Sequence, residues 1–159
     1  MAKQTISELE LPTAFSGPAQ LKLYTRYGDP RASGYEQKWL TFWEIKEEFP
    51  WFPKKNISVH KHFKALLEAA FKELQLSNLF SEIKSFDGGH KVRMLRGSKG
   101  VMSLHSWGAA IDMNASENPL GGAGNWSAAF IEVMEKHGIC CGQSWNGRKD
   151  PMHFAMANG

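Results

Sequence analysis

Hydrophobic residues recur at helical intervals over residues 60–76. They are spaced three, four and seven positions apart, while lysines and glutamates occupy positions between them. The hydrophobic set consists of Phe63, Leu66, Leu67, Ala70, Phe71 and Leu74. Because residues at these intervals share one face of a helix, the pattern predicts an amphipathic helix that packs against a core.

A second helix is predicted after residue 125. One face would carry Trp126, Phe130, Val133, Met134 and His137. Asn125 or Ser127 can cap its N-terminus by accepting a hydrogen bond from a backbone N–H. Gly138 suits the C-terminal cap, because glycine adopts the left-handed backbone conformation there without a steric penalty.

Short hydrophobic runs elsewhere predict strands. They cover residues 91–95, 109–113, 139–144 and 153–156. A turn at residues 87–89 and polar loops at residues 96–100 and 114–125 separate the predicted elements. Since short strands are mixed with two helices and do not alternate with them regularly, the chain is predicted to have an α+β fold. Its sheet should be small and mostly antiparallel, with flanking helices.

Prolines and glycines interrupt the first 55 residues, so no long periodic pattern forms there. Residues 21–24 alternate in polarity and predict a short strand, and residues 39–45 suit a short helix or a strand. The chain has 159 residues, the length of one domain. We therefore predict a single domain over residues 1–159, with 1–55 as an irregular segment that wraps a core formed by 56–159.

Composition and charge exclude several classes of protein. The net charge is only +3 and the basic residues are scattered, which argues against a nucleic-acid-binding protein. Cys140 and Cys141 are adjacent, so no disulfide framework is expected. No hydrophobic run is long enough to span a membrane, and no apolar stretch follows Lys3 as a secretory signal requires. We expect a monomer that is made in the cytoplasm and does not insert into membranes.

Two histidines and an aspartate form the most informative combination of polar residues. Asp112 lies inside an otherwise apolar strand, where an unpaired carboxylate is energetically costly. A zinc ion would satisfy it, with His105 and His153 as the other ligands. Two histidines and one carboxylate leave the fourth tetrahedral position open, as in catalytic zinc sites. The spacing alone favours the alternative, a hydrogen-bonded Asp112 at a strand end and two ordinary surface histidines.

Further charged residues suit a hydrolytic role. Asp150 precedes His153 by three residues and can act as a general base that later returns the proton to the leaving amine. Negative charge that develops on the substrate carbonyl oxygen needs a fixed cation or donor, and Arg93 or Arg96 can provide it. The sequence does not choose between these two arginines.

Three ordered motifs resemble those of zinc-dependent D-alanyl-D-alanine carboxypeptidases and L-alanyl-D-glutamate endopeptidases. These enzymes are peptidoglycan peptidases and include many phage endolysins. The motifs are RMLRGS at residues 93–98, SLHSWGAAID at residues 103–112 and DPMHF at residues 150–154. The resemblance spans about residues 58–156, and it implies the α+β fold shared by lysostaphin-type, D-Ala-D-Ala and hedgehog domains.

The resemblance also implies roles for individual residues. It implies one zinc ion per chain, with His105, Asp112 and His153 as ligands. It implies Asp150 as the general base and one of the two arginines, Arg93 or Arg96, at the substrate carbonyl.

Four more residues are candidates for substrate binding near this site. They are Ser103, Trp107, Trp145 and His90. Ser103 can hydrogen-bond near the site or only start the turn, and His90 can line the cleft or belong to an exposed loop. Each of the two tryptophans suits either the cleft or the core.

The function that we expect is that of an L-alanyl-D-glutamate endopeptidase that cuts peptidoglycan stem peptides. It would act on the cell wall after release or as part of a phage particle. The alternatives are a D-alanyl-D-alanine carboxypeptidase of the same family and a non-catalytic zinc-bound module that binds the cell wall. Asp150 favours catalysis, because a non-catalytic domain would be free to lose it.

Overall fold

The computed structural model describes residues 12–98 and 100–159. The helices are α1 Pro18–Tyr27, α2 Tyr35–Trp39, α3 Ile45–Glu48, α4 Lys61–Leu76 and α5 Ala128–Lys136. The strands are β1 Leu40–Trp43, β2 Ile57–His60, β3 Phe86–Gly88, β4 Ala110–Met113, β5 Cys140–Gly142 and β6 Asp150–Ala155. Short 3-10 helices cover Thr13–Phe15, Phe80–Glu82 and Leu104–Trp107. Residues 1–11, on which the expectation of a missing secretory signal rests, lie outside the described residues.

The strands form two antiparallel sheets. Strands β1 and β2 pair with each other, and the larger sheet has the order β3-β4-β6-β5. Every neighbouring pair in the larger sheet is antiparallel. The predicted α+β fold, with small antiparallel sheets and flanking helices, is therefore confirmed. None of the helices in the described part of the chain combines the length and hydrophobicity that crossing a membrane would require.

Both long predicted helices are present, and the ends of α5 follow the predicted capping chemistry. Most of the hydrophobic face of α4 is fully buried. At the start of α5, Ser127 rather than Asn125 is the cap, because Ser127 Oγ accepts a hydrogen bond from the Phe130 N–H at 3.1 Å. Gly138 follows α5 with a φ of +82°, as a glycine at a helix C-terminus should.

The N-terminal segment is more regular than the sequence predicted. Residues 21–24 lie in α1 rather than in a strand, because Pro18 and Gly28 delimit a helix whose buried residues Leu23 and Tyr27 are four positions apart. The region around residues 39–45 contains both of the alternatives considered, the end of α2 and strand β1, and continues into α3. The segment contains three helices and a strand where the sequence predicted irregular structure, because the prolines and glycines that suggested irregularity lie between these elements or at their ends.

Two predictions around the larger sheet were also wrong. Residues 86–88 form the edge strand β3, although residues 87–89 read as a turn. The predicted strand at residues 91–95 is reduced to a single bridge between Met94 and Met102. The ladder does not extend further because the Arg93 N–H donates to the Ser106 hydroxyl instead of to a carbonyl of the facing segment.

The hydrophobic core has two parts. The larger part lies between α4, α5 and the inner strands. The smaller part is built around the fully buried Trp107, with Phe15, Leu23 and Tyr35 from the N-terminal segment. Trp107 Nε1 donates to the Gly28 carbonyl at 2.9 Å, and the Tyr35 hydroxyl donates to the Trp107 carbonyl at 2.7 Å. The N-terminal segment therefore holds the short turn that contains residues 104–107.

Gly108 joins that turn to the β1–β2 sheet at very close range. Its φ is +72°, and its carbonyl accepts a hydrogen bond from the His60 N–H at 2.8 Å. A Cβ at this position would lie 2.8 Å from His60 N and 2.5 Å from Leu40 Cδ2. Only glycine satisfies both the backbone conformation and the close approach.

The variant Gly108→Ala should lower the free energy of unfolding by about 2–5 kcal/mol, because a strained backbone and a steric clash add together. Gly34→Ala is the matched control, since Gly34 also has a left-handed backbone but has no atom near the position of a Cβ. The control should lose only about 1–2 kcal/mol. Chemical denaturation measures both changes, and equal losses would contradict the steric argument.

His60 is a fully buried histidine at the N-terminus of α4. Its Nδ1 accepts a hydrogen bond from the His62 N–H at 3.0 Å, and its ring packs against Tyr27 and Trp39. Burial lowers the pKa of His60 and the charges of His62, Lys61 and Arg26 add to this effect, so that together they bring the pKa to about 4. The folded protein therefore keeps this side chain neutral at pH values where the unfolded chain protonates it.

As the pH falls from about 6.5 to about 4, the free energy of unfolding should decrease, because the unfolded state binds an extra proton at His60. The decrease from this residue is at most about 3 kcal/mol. His60→Asn should flatten the pH dependence while keeping the cap, since asparagine is a good N-cap acceptor. Denaturation at several pH values tests this, and an unchanged slope in the variant would rule it out.

Candidate metal centre and active site

Strand pairing brings Asp112 and His153 together. They are directly opposite each other in the register of β4 and β6, and side chains at opposed positions lie on the same face of a sheet. Asp112 Oδ1 is 3.6 Å from His153 Nδ1. Two residues that are 41 positions apart in the sequence are therefore neighbours because of the strand order.

His105 reaches the same point from the 3-10 turn that precedes β4. Ser103 caps this turn, with its Oγ accepting a hydrogen bond from the His105 N–H at 3.2 Å. His105 Nε2 lies 3.2 Å from Asp112 Oδ2. The ligand atoms of His105, Asp112 and His153 all lie within 4.8 Å of one another.

Backbone carbonyls orient both imidazole rings. His105 Nδ1 lies 2.8 Å from Gly89 O, and His153 Nε2 lies 3.0 Å from Gly159 O. Each of these nitrogens must carry a hydrogen to donate to the carbonyl. In a neutral ring the other nitrogen then presents a lone pair to Asp112. Such an arrangement orients the histidine ligands of many metal sites.

The unsatisfied atoms of this cluster indicate a cation. His105 Nε2 and Asp112 Oδ1 are buried and have no hydrogen-bond partner among the described residues. Burial raises the pKa of Asp112, but the adjacent His105 and His153 rings outweigh it and hold the pKa well below its usual range. An ionised carboxylate and two imidazole nitrogens at this separation are donors that suit a divalent cation such as zinc.

The pocket beside this cluster contains most of the other predicted site residues. Asp150, Arg93, Arg96, Ser103 and Trp145 line it together with the three clustered side chains. Asp150 is half-buried at the start of β6, and its Oδ1 is buried without a hydrogen-bond partner among the described residues. Burial raises the pKa of Asp150 and the nearby Asp112 carboxylate raises it further, although His153, His105 and Arg96 oppose this.

Backbone contacts hold Arg93 at the pocket wall. Its N–H donates to Ser106 Oγ at 3.1 Å, and that hydroxyl donates to the Arg93 carbonyl at 3.0 Å. Arg93 is half-buried, whereas Arg96 is exposed on the following turn. The sequence did not reveal the role of Ser106. This residue is fully buried, and its hydroxyl binds the backbone of Arg93, which lies 13 positions earlier in the sequence.

Two predicted substrate-binding residues do not line the pocket. Trp107 is fully buried in the core, because Gly28, Tyr35 and the N-terminal helix surround it. The side chain of His90 is half-buried outside the pocket, while the residues on either side of it bind the backbone and ring of His105. The segments around Trp107 and His90 therefore help to position His105, but the side chains of Trp107 and His90 do not line the pocket.

Sequence reasoning also missed Arg148 and several hydrophobic residues of the pocket wall. Arg148 lies in the loop between β5 and β6, two residues before Asp150. The hydrophobic residues are Leu95, Leu104, Leu120 and Met152. The sequence could have indicated Arg148 as a pocket residue, because it lies only two positions before Asp150. Leu120, in contrast, belongs to a loop whose place in space no local pattern reveals.

Comparison with known proteins supports a peptidase. Residues 96–156 match a family model described as D-alanyl-D-alanine carboxypeptidase. The matched segment contains the three clustered side chains and Asp150, and it supports a relationship to that peptidase superfamily. No curated protein and no solved structure matches the chain.

Replacing His105 with alanine should weaken zinc affinity by more than about 100-fold, because a direct ligand contributes more than the residues that orient it. His137→Ala is the control, since His137 pairs with Glu73 outside the pocket. Competition with a chelator and elemental analysis measure the bound metal. Equal zinc content in the two variants would exclude His105 as a ligand.

Proposed function

We propose that this protein is a zinc-dependent peptidase that cleaves peptidoglycan stem peptides at the L-alanyl-D-glutamate bond. The observation that carries the proposal is the cluster of His105, Asp112 and His153, in which two buried ligand atoms have no hydrogen-bond partner among the described residues. The pocket beside the cluster contains Asp150. The family match over residues 96–156 includes all four residues.

The three clustered side chains would hold the zinc ion. A zinc ion with three protein ligands activates water and polarises a carbonyl group. Gly89 O and Gly159 O keep the two histidine rings oriented toward Asp112.

Asp150 is the proposed general base. Its position on a strand, three residues before His153, fixes the carboxylate at the edge of the same pocket. Because burial raises its pKa, this carboxylate is a stronger base than an exposed one. It would accept a proton from the attacking water and return it to the amine of the leaving group.

Arg93 or Arg96 would stabilise the negative charge on the substrate carbonyl oxygen. Arg93 is held more firmly, through its backbone contacts with Ser106. Ser103 would support His105 through the turn that it caps, and Trp145 would border the bound peptide, since its ring packs against His153.

The preference for the L-alanyl-D-glutamate bond rests on the resemblance of the motifs to phage-type peptidases. The second candidate is D-alanyl-D-alanine carboxypeptidase activity, which the description of the matching family favours. We propose further that residues 1–159 act as one domain and as a monomer, on the cell wall after release or on a phage particle. The contacts between the N-terminal segment and the turn at residues 104–107 support one unit.

Asp150→Asn should lower kcat by about 10²–10⁴-fold while zinc remains bound, because the variant removes a proton acceptor and no metal ligand. Asp29→Asn provides the control, since Asp29 pairs only with Arg31 at the surface. The measurements are the rate of peptide release and the zinc content of each variant. A nearly normal rate for Asp150→Asn would remove Asp150 from the mechanism.

Digestion of purified peptidoglycan with and without a zinc chelator tests the function itself. Mass spectrometry should reveal new glutamate amino termini that disappear when the chelator is present. Released D-alanine would establish the carboxypeptidase instead. A zinc-loaded protein that forms no product would indicate the non-catalytic wall-binding module.

A further inference from the structure

Arg148 lines the pocket, but none of the proposed catalytic steps uses it. It comes from the loop between β5 and β6, whereas Arg93 and Arg96 precede the His105 turn. The Arg148 side chain reaches the turn at residues 95–98, where Nη2 donates to the Arg96 carbonyl at 3.3 Å. Two segments that are distant in sequence therefore meet at this guanidinium.

Hydrogen bonds of Lys149 hold the backbone of the loop that carries Arg148. Lys149 Nζ donates to the carbonyls of Gln143 and Trp145 at 2.8 and 2.6 Å. The Lys149 carbonyl in turn accepts a hydrogen bond from the Gly121 N–H at 2.7 Å. These contacts fix the backbone next to Arg148, so that less conformational entropy is lost when its side chain binds a ligand.

The guanidinium of Arg148 has N–H donors with which it can bind an anion. A guanidinium carries five N–H donors and binds a carboxylate through two parallel hydrogen bonds. Within residues 12–98 and 100–159, Arg148 forms no salt bridge, and its one hydrogen bond is to the carbonyl of Arg96. The Asp112 carboxylate in the same pocket already faces two histidines.

We propose that Arg148 binds the free carboxylate of the substrate residue that leaves with the new amine. This inference rests on the proposed function. The leaving residue is D-glutamate, which continues the stem through its side-chain carboxyl, or else a terminal D-alanine. In both cases a free α-carboxylate lies two bonds from the scissile nitrogen. A group that recognises it must share the pocket with the catalytic residues, as Arg148 does.

The test compares two stem peptides that differ at one group. One contains D-glutamate, and the other contains D-isoglutamine, in which a carboxamide replaces the α-carboxylate. The wild-type protein should prefer the carboxylate peptide by about 10- to 100-fold in kcat/KM, mainly through KM. Arg148→Gln should remove this preference by slowing cleavage of the carboxylate peptide alone, and Arg148→Lys should restore part of it.

Arg26→Gln is the matched control, because it makes the same change of charge on α1, outside the pocket. It should keep the full preference. If Arg148→Gln keeps the preference, or loses activity equally on both peptides, the proposed carboxylate contact is wrong.

Equilibrium binding separates this inference from the proposed function. Asp150→Asn and the double variant Asp150→Asn, Arg148→Gln are titrated with both peptides by calorimetry, which requires no cleavage. A preference for the carboxylate peptide that disappears in the double variant supports the Arg148 contact, even if the wild-type protein cleaves neither peptide. In that case the proposed peptidase function is wrong, while the proposed Arg148 contact is supported. Equal affinities for the two peptides, or no binding of either, would overturn the contact.

Discussion

The carboxylate of Asp112 is the group on which the pocket depends. A charge removed from water costs several kcal/mol unless other groups compensate it. Two imidazole rings face this carboxylate, and each ring is itself oriented by a backbone carbonyl. Five segments of the chain meet around Asp112. They are β4, β6, the turn at residues 104–107, the loop that contains Gly89 and the segment after β6 that contains Gly159.

Much of the remaining fold supports the histidine turn. Trp107 fills the smaller core, Gly108 contacts the backbone of His60, and Ser106 ties the turn to Arg93. The N-terminal segment, which the sequence predicted to be irregular, stabilises this turn. Its helices α1 and α2 contribute Leu23, Tyr27 and Tyr35 to the core around Trp107. The position of one imidazole ring depends on packing that extends over a large part of the molecule.

The sequence predicted what local chemistry determines. The stripe on α4 and the Ser127 cap of α5 depend only on neighbouring residues, and the proposed ligands and Asp150 stand out by residue type in an apolar context. The sequence did not reveal contacts between distant segments. Arg93 was predicted to lie in a strand because no local pattern shows that Ser106 binds its backbone. The sequence left Trp107 open between cleft and core because its partners lie in the first 35 residues.

The order of strands in the larger sheet links completion of the fold to completion of the site. Strand β6 follows β5 along the chain but lies between β4 and β5. A chain whose β6 has not yet inserted therefore lacks the middle of its sheet, and it also lacks both His153 and Asp150 at the pocket. A partly folded chain without β6 contains neither the complete cluster of His105, Asp112 and His153 nor Asp150 beside it. Formation of the pocket is therefore coupled to the insertion of the last strand of the sheet.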